Sequence, residues 1–127
     1  FRECLQAEGG RSMARDDYHV IVYQILAYLY QCLKKGNPVD ISMLKPGSLL
    51  LKELNEHYWA YIIYNMSETG FIDGVVFARL DGMRTPHPVD LKDCYITPQG
   101  IEYLCDNSFM EKAKAFLKDM KEVTPFI

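Results

Sequence analysis

The spacing of apolar residues along the chain predicts mostly helices. The first apolar stretch follows Asp17 with a helical period, and the basic, Gly- and Pro-containing residues 34–38 close it. An acidic start, a basic end and a glycine stop are typical of a helix, which we expect over residues 17–35. The surplus apolar residues of this helix favour contact with a partner subunit, although the C-terminal helix of the same chain could cover them instead. They are Tyr23, Ala27 and Tyr30.

Two more helices are predicted in the middle of the chain. A Lys-Pro-Gly sequence that starts at Lys45 leads into an apolar run, which predicts a second helix over residues 48–54. Asn55 is a good N-cap for a third helix that ends at Gly70. The inward face of this third helix is assigned to its apolar residues, which are Trp59, Ile62, Ile63 and Met66. The second and third helices have the order of a helix-turn-helix.

The remaining pattern predicts a β-hairpin followed by two helices. Residues 75–80 and 93–96 have strand composition, and the turn-rich residues 81–88 between them would form the tip, or wing. Thr97 before a proline predicts a short helix, and a capping box that begins at Ser108 predicts the last one. The inward face of the last helix is assigned to Phe109, Ala113, Phe116, Leu117 and Met120.

The predicted fold class is therefore mainly α with a small antiparallel β-hairpin sheet, arranged as a winged helix-turn-helix with an added C-terminal helix. A chain of 127 residues with 49% hydrophobic content can build one core but not two. We expect a single winged-helix domain over residues 13–127. Residues 1–12 lack periodicity, and the Gly-Gly-Arg-Ser sequence before Met13 is typical of a cloning scar. We expect residues 1–12 to be cloning-derived or a flexible arm.

Motifs for catalysis, metal binding and membrane insertion are missing from the sequence. The four cysteines lie at wide intervals without a Cys-x-x-Cys pair, so we expect no metal site, no disulfide framework and a cytoplasmic location. The chain has no Gly-rich phosphate loop and no nucleophile motif. We therefore expect no catalytic residue, no cofactor and no enzymatic activity. The longest apolar stretch, residues 18–33, is broken by polar residues, so no membrane partner is expected.

Three short segments carry a recognisable pattern: Gly36-Asn37-Pro38, Gly70-Phe71-Ile72 and Ile96-Thr97-Pro98-Gln99-Gly100-Ile101-Glu102-Tyr103-Leu104. In this order they resemble the YjcQ-type proteins, small winged-helix proteins of bacterial and phage genomes. The resemblance covers residues 13–121, with a first segment one residue short of the family spacing and a longer stretch before the third helix. Because the family has no defined biochemical activity, the resemblance implies an architecture and an expectation of DNA binding.

The residues that would contact DNA come from the third helix and the hairpin. Outward polar side chains of the third helix could reach base edges in a major groove, where Asn is suited to a bidentate contact with adenine. These candidates are His57, Tyr61 and Asn65. Phosphate contacts are expected from the nearby cations, which are Lys45, Lys52, Arg79, Arg84 and Lys92. The alternative interpretation is a solvated helix face and a hairpin kept soluble by its charges.

The charge of the chain argues against tight binding of phosphate groups. The net charge is −3, and no Lys or Arg occurs between Lys52 and Arg79, where a DNA-contacting helix would carry them. Two hypotheses follow. The first is a DNA-binding transcriptional regulator of a phage or other mobile element, or of its host, acting on double-stranded DNA as a homodimer through helix 1 or the C-terminal helix. The second is a winged-helix protein-interaction module without DNA affinity.

Overall fold

The structure, a computed structural model, describes residue 14 and residues 17–48, 50–52 and 54–119. It is mainly helical with short antiparallel strands, which confirms the predicted fold class, and its element order is consistent with a winged helix that has an added C-terminal helix. The helices are α1 (Tyr18–Lys35), α2 (Glu56–Thr69), α3 (Pro98–Asp106) and α4 (Ser108–Asp119), with a 3-10 helix over Ile41–Leu44. The strands are β1 (Ile72–Asp73), β2 (Val76–Ala78), β3 (His87–Asp90) and β4 (Tyr95–Ile96). Residues 1–12, the expected cloning-derived segment or arm, lie outside the described residues.

Helix α1 forms the centre of the core. It packs against α2, α3, α4 and β4, and it ends where predicted, at Gly36 with a left-handed φ of 69°. The surplus apolar residues Tyr23 and Ala27 are buried within the same chain, and Tyr30 is half-buried against the core. Their burial therefore requires no partner subunit.

The predicted second helix is wrong. The described part of residues 45–54 forms turns, and the short helical element lies earlier, at Ile41–Leu44. Gly47 adopts a left-handed φ of 88° and donates its N–H to the Leu51 carbonyl oxygen at 2.8 Å, which is a turn geometry that a helix does not use. The Ser48 hydroxyl accepts the Leu51 N–H at 3.0 Å and fixes the same turn. Buried leucines, Leu44, Leu50, Leu51 and Leu54, anchor the segment in the core.

Helix α2 forms as the sequence predicts. The Asn55 side chain accepts the N–H groups of His57 and Tyr58 at 2.8 and 3.1 Å, and Gly70 ends the helix with a left-handed φ of 89°. The buried face consists of Trp59, Ala60, Ile62, Ile63 and Met66. The cap and the apolar spacing are both local signals, so this element needed no tertiary information.

The strands pair differently from the prediction. Residues 93–96 do not pair with the wing: β4 pairs antiparallel with β1, and β2 pairs with β3. Strand β3 begins at His87, so it takes in the last two residues of the segment 81–88 that was predicted to be a turn-rich tip. The tip itself lies two residues earlier, at 79–86. Pro88, at the end of that predicted tip, pairs with Phe77 instead and is buried. A short hairpin of this kind tolerates a proline, which lacks only the N–H donor.

The last two helices form with one change at their junction. The Thr97 hydroxyl accepts the Gly100 N–H at 3.0 Å and caps α3, as predicted. Helix α4 is capped by Asn107, whose side chain accepts the Phe109 N–H at 2.8 Å, so the predicted capping box was placed one residue too late. Of the predicted inward residues, Ala113 and Leu117 are buried and Phe116 is partly buried. Phe109 was also predicted to face inward but is 45% exposed, whereas Met110 is buried and was not predicted. Met120 lies outside the described residues.

His19 near the start of α1 is expected to make stability depend on pH. Burial lowers the pKa of His19, and the Asp17 carboxylate opposes that shift. Because the folded pKa lies below the unfolded value of about 6.5, the unfolded chain takes up the proton first, and the free energy of unfolding falls as the pH drops through that range. Urea unfolding at neutral and mildly acidic pH should therefore show a smaller loss of stability for His19→Phe than for the unsubstituted chain. An equal loss would mean that His19 is not a source of the pH dependence.

Candidate nucleic-acid interface

The outward face of α2 is narrow and carries no cation. His57 and Glu68 are exposed, and Tyr61 is 51% exposed. The opposite face packs into the core through Trp59 and the residues around it. Glu56 begins the helix, in the first turn, where an anion stabilises the helix dipole. The predicted contact residues therefore do share one surface, but their charge environment is neutral to acidic.

The side-chain amide of Asn65 is only partly free to contact a base. Asn65 is partly buried, and its side-chain amide donates to the Tyr61 carbonyl oxygen one turn earlier, at 2.8 Å. The Thr69 hydroxyl in turn donates to the Asn65 carbonyl oxygen at 2.6 Å. A bidentate contact with adenine needs both the amide N–H and the amide oxygen turned outward. Asn65 would therefore have to break its bond to Tyr61 before it could make that contact.

Aromatic contacts fix the β2–β3 hairpin beside α2. The ring of Tyr64 on α2 meets the ring of Phe77 on β2 edge to face, with 5.6 Å between centroids. Trp59 meets His87 of β3 in the same way, at 5.7 Å. The Trp59 indole N–H also donates to the Leu44 carbonyl oxygen at 2.7 Å. These contacts join α2, the hairpin and the Ile41–Leu44 helix into one unit.

The loop at the hairpin tip, residues 79–86, presents two arginines. Arg79 and Arg84 are both exposed. The Arg79 guanidinium donates to the Arg84 carbonyl oxygen at 3.2 Å, so Arg79 braces the loop from one side to the other. That bond takes one of the five guanidinium N–H donors of Arg79 and ties the side chain to its own loop, so Arg84 is the arginine better placed to reach a phosphate.

The three predicted lysines occupy different parts of the surface. Lys45 lies in the segment before α2, and Lys92 lies in the turn after β3, where its backbone N–H donates to the Asp90 carboxylate at 2.9 Å. Lys52 is exposed in the turn region between the Ile41–Leu44 helix and α2. Lys45 borders a cleft that also contains Glu56 and Asp90, and these two carboxylates interrupt any positive strip that would join Lys45 to the hairpin.

A cleft of about 190 Å³ lies where the Ile41–Leu44 segment, α2 and β3 meet. Its charged border comes from Lys45, Glu56 and Asp90, and His87 contributes an imidazole whose Nε2 lies 3.6 Å from the Glu56 carboxylate. The remaining walls are mainly apolar: Ile41, Trp59, Pro88, Val89 and Leu91. The sequence did not indicate this cleft, because its lining residues come from separate segments between Ile41 and Leu91.

A family model described as YjcQ protein matches residues 23–123. The chain belongs to the YjcQ protein family. No curated protein and no solved structure matches it. The matched residues include most of α1 and every later helix and strand, so the family assignment and the described fold refer to the same unit.

Two of the sequence segments that carry the YjcQ resemblance meet in space. The Thr97 hydroxyl donates its one hydrogen to the Gly70 carbonyl oxygen at 2.5 Å, and the Phe71 carbonyl oxygen, at 3.1 Å, shares it as the more distant acceptor. Gly100 lies so close that an added Cβ would come within 2.2 Å of the Phe71 carbonyl oxygen. The Thr-x-x-Gly sequence therefore fastens the start of α3 to the end of α2, which gives this YjcQ pattern a structural explanation.

The described part of this YjcQ chain offers little support for a nucleophilic, metal-binding or membrane-spanning role. Burial raises the pKa of the Cys94 thiol to about 12, with a smaller contribution from Asp73, so Cys94 is a poor nucleophile. Among the described residues, no three His, Cys, Asp or Glu side chains converge as a metal site. Within the same residues, no helix combines the length and apolar character needed to cross a bilayer.

Proposed function

We propose that this YjcQ-family protein binds double-stranded DNA, with the outward face of α2 in a major groove and the tip of the β2–β3 hairpin on the phosphate backbone. The observation that carries the proposal is the fixed position of the hairpin beside α2, through the Tyr64–Phe77 and Trp59–His87 contacts. A wing held in that position can place Arg84 on a phosphate while α2 reads bases. No catalytic step is part of the proposal.

The proposed contact is a weak one in electrostatic terms. The candidate cations are Lys45, Lys52, Arg79, Arg84 and Lys92, all of them exposed. Each phosphate neutralised contributes about −0.9 to the slope of log K against log salt. Five such contacts would give a slope no steeper than about −4.5. Sequence specificity would then depend on His57, Tyr61 and Asn65, although the Asn65 amide already donates to the Tyr61 carbonyl oxygen. A regulator of a mobile element or of its host is the role that such a protein would fill.

Arg84→Ala is expected to weaken DNA binding and to reduce the salt slope by about one unit, because one phosphate contact is lost. The measurement is fluorescence anisotropy with a short mixed-sequence duplex, titrated at low and near-physiological salt. The matched control is Lys118→Ala, which removes one positive charge from the exposed side of α4. If Arg84→Ala and Lys118→Ala change the slope equally, the effect comes from net charge and the wing contact is wrong.

A second candidate is a protein-interaction module without DNA affinity. It is favoured by the apolar residues exposed on the hairpin, since Val76 and Val89 are 54% and 53% exposed. They alternate along their strands with Phe77 and Pro88, which face inward. Aliphatic residues on an outer sheet face are typical of interaction surfaces. If the unsubstituted chain does not bind the duplex even at low salt, this candidate replaces the DNA-binding proposal.

A further inference from the structure

The starts of α1 and α4 come together in an aromatic surface that the proposed function does not use. The rings of His19 and Phe109 stack almost parallel, with 4.3 Å between centroids and 6° between planes. Tyr18 meets His19 edge to face at 5.4 Å. Phe109 is 45% exposed. Together with Asp17 and Lys112, which flank the rings, these residues are called the end patch.

Opposite charges flank the end patch from different elements. The Lys112 ammonium lies over the Phe109 ring, 5.5 Å from its centroid. The Asp17 carboxylate precedes α1 and acts electrostatically on His19. Its Oδ2 accepts the Ala14 N–H at 2.8 Å and makes no cap bond to α1. A cation therefore lies on the Phe109 side of the stack, and an anion lies on the His19 side.

This arrangement is complementary to a copy of itself. In a two-fold contact the same surface meets itself in reversed order, so the cationic side of one copy faces the anionic side of the other. The exposed Phe109 ring can then pack on its counterpart while Lys112 approaches Asp17 of the second copy, which sets the register of the contact. Burial favours the neutral form of His19 by lowering its pKa, so the stack itself adds little charge at neutral pH.

We propose that the end patch is the two-fold contact through which two copies of this chain form a homodimer. The occupant is a second copy, because an exposed aromatic ring with a cation on one side and an anion on the other matches its own two-fold image. None of its residues belongs to the candidate DNA contacts, although Tyr18 lies near enough to Tyr61 of α2 to interact with it electrostatically. The proposal does not depend on DNA binding.

Analytical ultracentrifugation over a wide concentration range tests the dimer. The unsubstituted chain is expected to show a monomer–dimer equilibrium, and Phe109→Glu is expected to weaken it about tenfold or more. The matched control is Leu33→Glu, which changes another exposed apolar residue, 54% accessible, at the opposite end of α1, and should leave the equilibrium unchanged. A chain that is monomeric at every concentration overturns the proposal, and so does a dimer that Phe109→Glu leaves intact.

A charge exchange keeps the test decisive if Phe109→Glu fails to fold, as circular dichroism would show. Lys112→Glu alone should weaken the dimer, and the double variant Lys112→Glu with Asp17→Lys should restore it, because both cross-contact pairs then have opposite charges again. Failure of the double variant to restore a weakened dimer overturns the assigned register. Anisotropy of the monomeric Phe109→Glu variant with duplex DNA separates failure of the dimer from failure of DNA binding.

Discussion

Gly74→Ala is expected to destabilise the fold by about 2–5 kcal/mol, the sum of two separate penalties. Gly74 lies between β1 and β2 with a left-handed φ of 87°, a backbone conformation that costs alanine about 1–2 kcal/mol. An added Cβ would also lie 1.9 Å from the Asp93 carbonyl oxygen. Because that neighbour is backbone, the end of β1 and the segment before β4, its pairing partner, would have to move apart. Urea unfolding monitored by circular dichroism measures the loss.

Gly82→Ala is the matched control for this prediction. Gly82 has a similar left-handed φ of 79°, but nothing lies within 4 Å of the place where its Cβ would be. The Gly82 variant should therefore lose only the conformational penalty of about 1–2 kcal/mol. The difference between the two variants measures the close approach of Gly74 to Asp93. Equal losses would show that the strands do not approach each other as closely as described.

Elements with local start and stop signals were predictable from the sequence. Asn55 and Thr97 each cap a helix through the side-chain oxygen expected of that residue type, and Gly36 and Gly70 each end a helix in the left-handed conformation. These signals are confined to a few neighbouring residues, so no tertiary contact had to be known. The 23–123 match to the YjcQ family agrees with the resemblance that the sequence segments indicated.

Elements whose signals were ambiguous were misplaced. A Lys-Pro-Gly sequence can open a helix or form a turn, and the bond from Gly47 to Leu51 together with buried leucines decides for the turn. Pro88 was included in the turn-rich tip, but it pairs with Phe77, which a short hairpin tolerates. Asn107 and Ser108 are both good caps, and only the geometry chooses between them. The burial of the leucines and the pairing of Pro88 with Phe77 are tertiary contacts, whereas the choice between two adjacent capping residues is a local one that residue type alone does not make.

The candidate site was predictable in part. The outward position of His57 and Tyr61 on α2 followed from helical periodicity, and the exposed arginines of the hairpin tip followed from the turn composition. The inward bond of Asn65 and the cleft that brings Lys45 to His87 did not follow, because they depend on a rotamer and on a fold-level contact. A local pattern therefore identifies which side chains are exposed but not the contacts that limit their chemistry.

Trp59→Ala is expected to give a loss of about 3–5 kcal/mol in the free energy of unfolding. The side chain is 2% exposed, and its indole N–H donates to the Leu44 carbonyl oxygen at 2.7 Å. Its ring also meets His87, so the residue supports the Ile41–Leu44 segment and the hairpin at once. Trp59→Phe keeps most of the ring but leaves the buried Leu44 carbonyl without a donor, which should cost about 1–3 kcal/mol. Urea unfolding of both variants measures these losses.

Comparison with Tyr61→Ala separates the structural role of α2 from its proposed role in DNA binding. Tyr61 is 51% exposed, so its removal should change stability by no more than about 0.5 kcal/mol while weakening duplex binding. Trp59→Phe should lower stability and, where the chain is still folded, reduce binding only through the position of the hairpin. If Tyr61→Ala leaves duplex affinity unchanged, α2 is not the reading helix, and any salt-dependent binding must come from the hairpin alone. If Trp59→Phe costs no stability, the indole N–H does not hold the Ile41–Leu44 segment, and only the ring contacts of Trp59 and Tyr64 with the hairpin remain as its structural role.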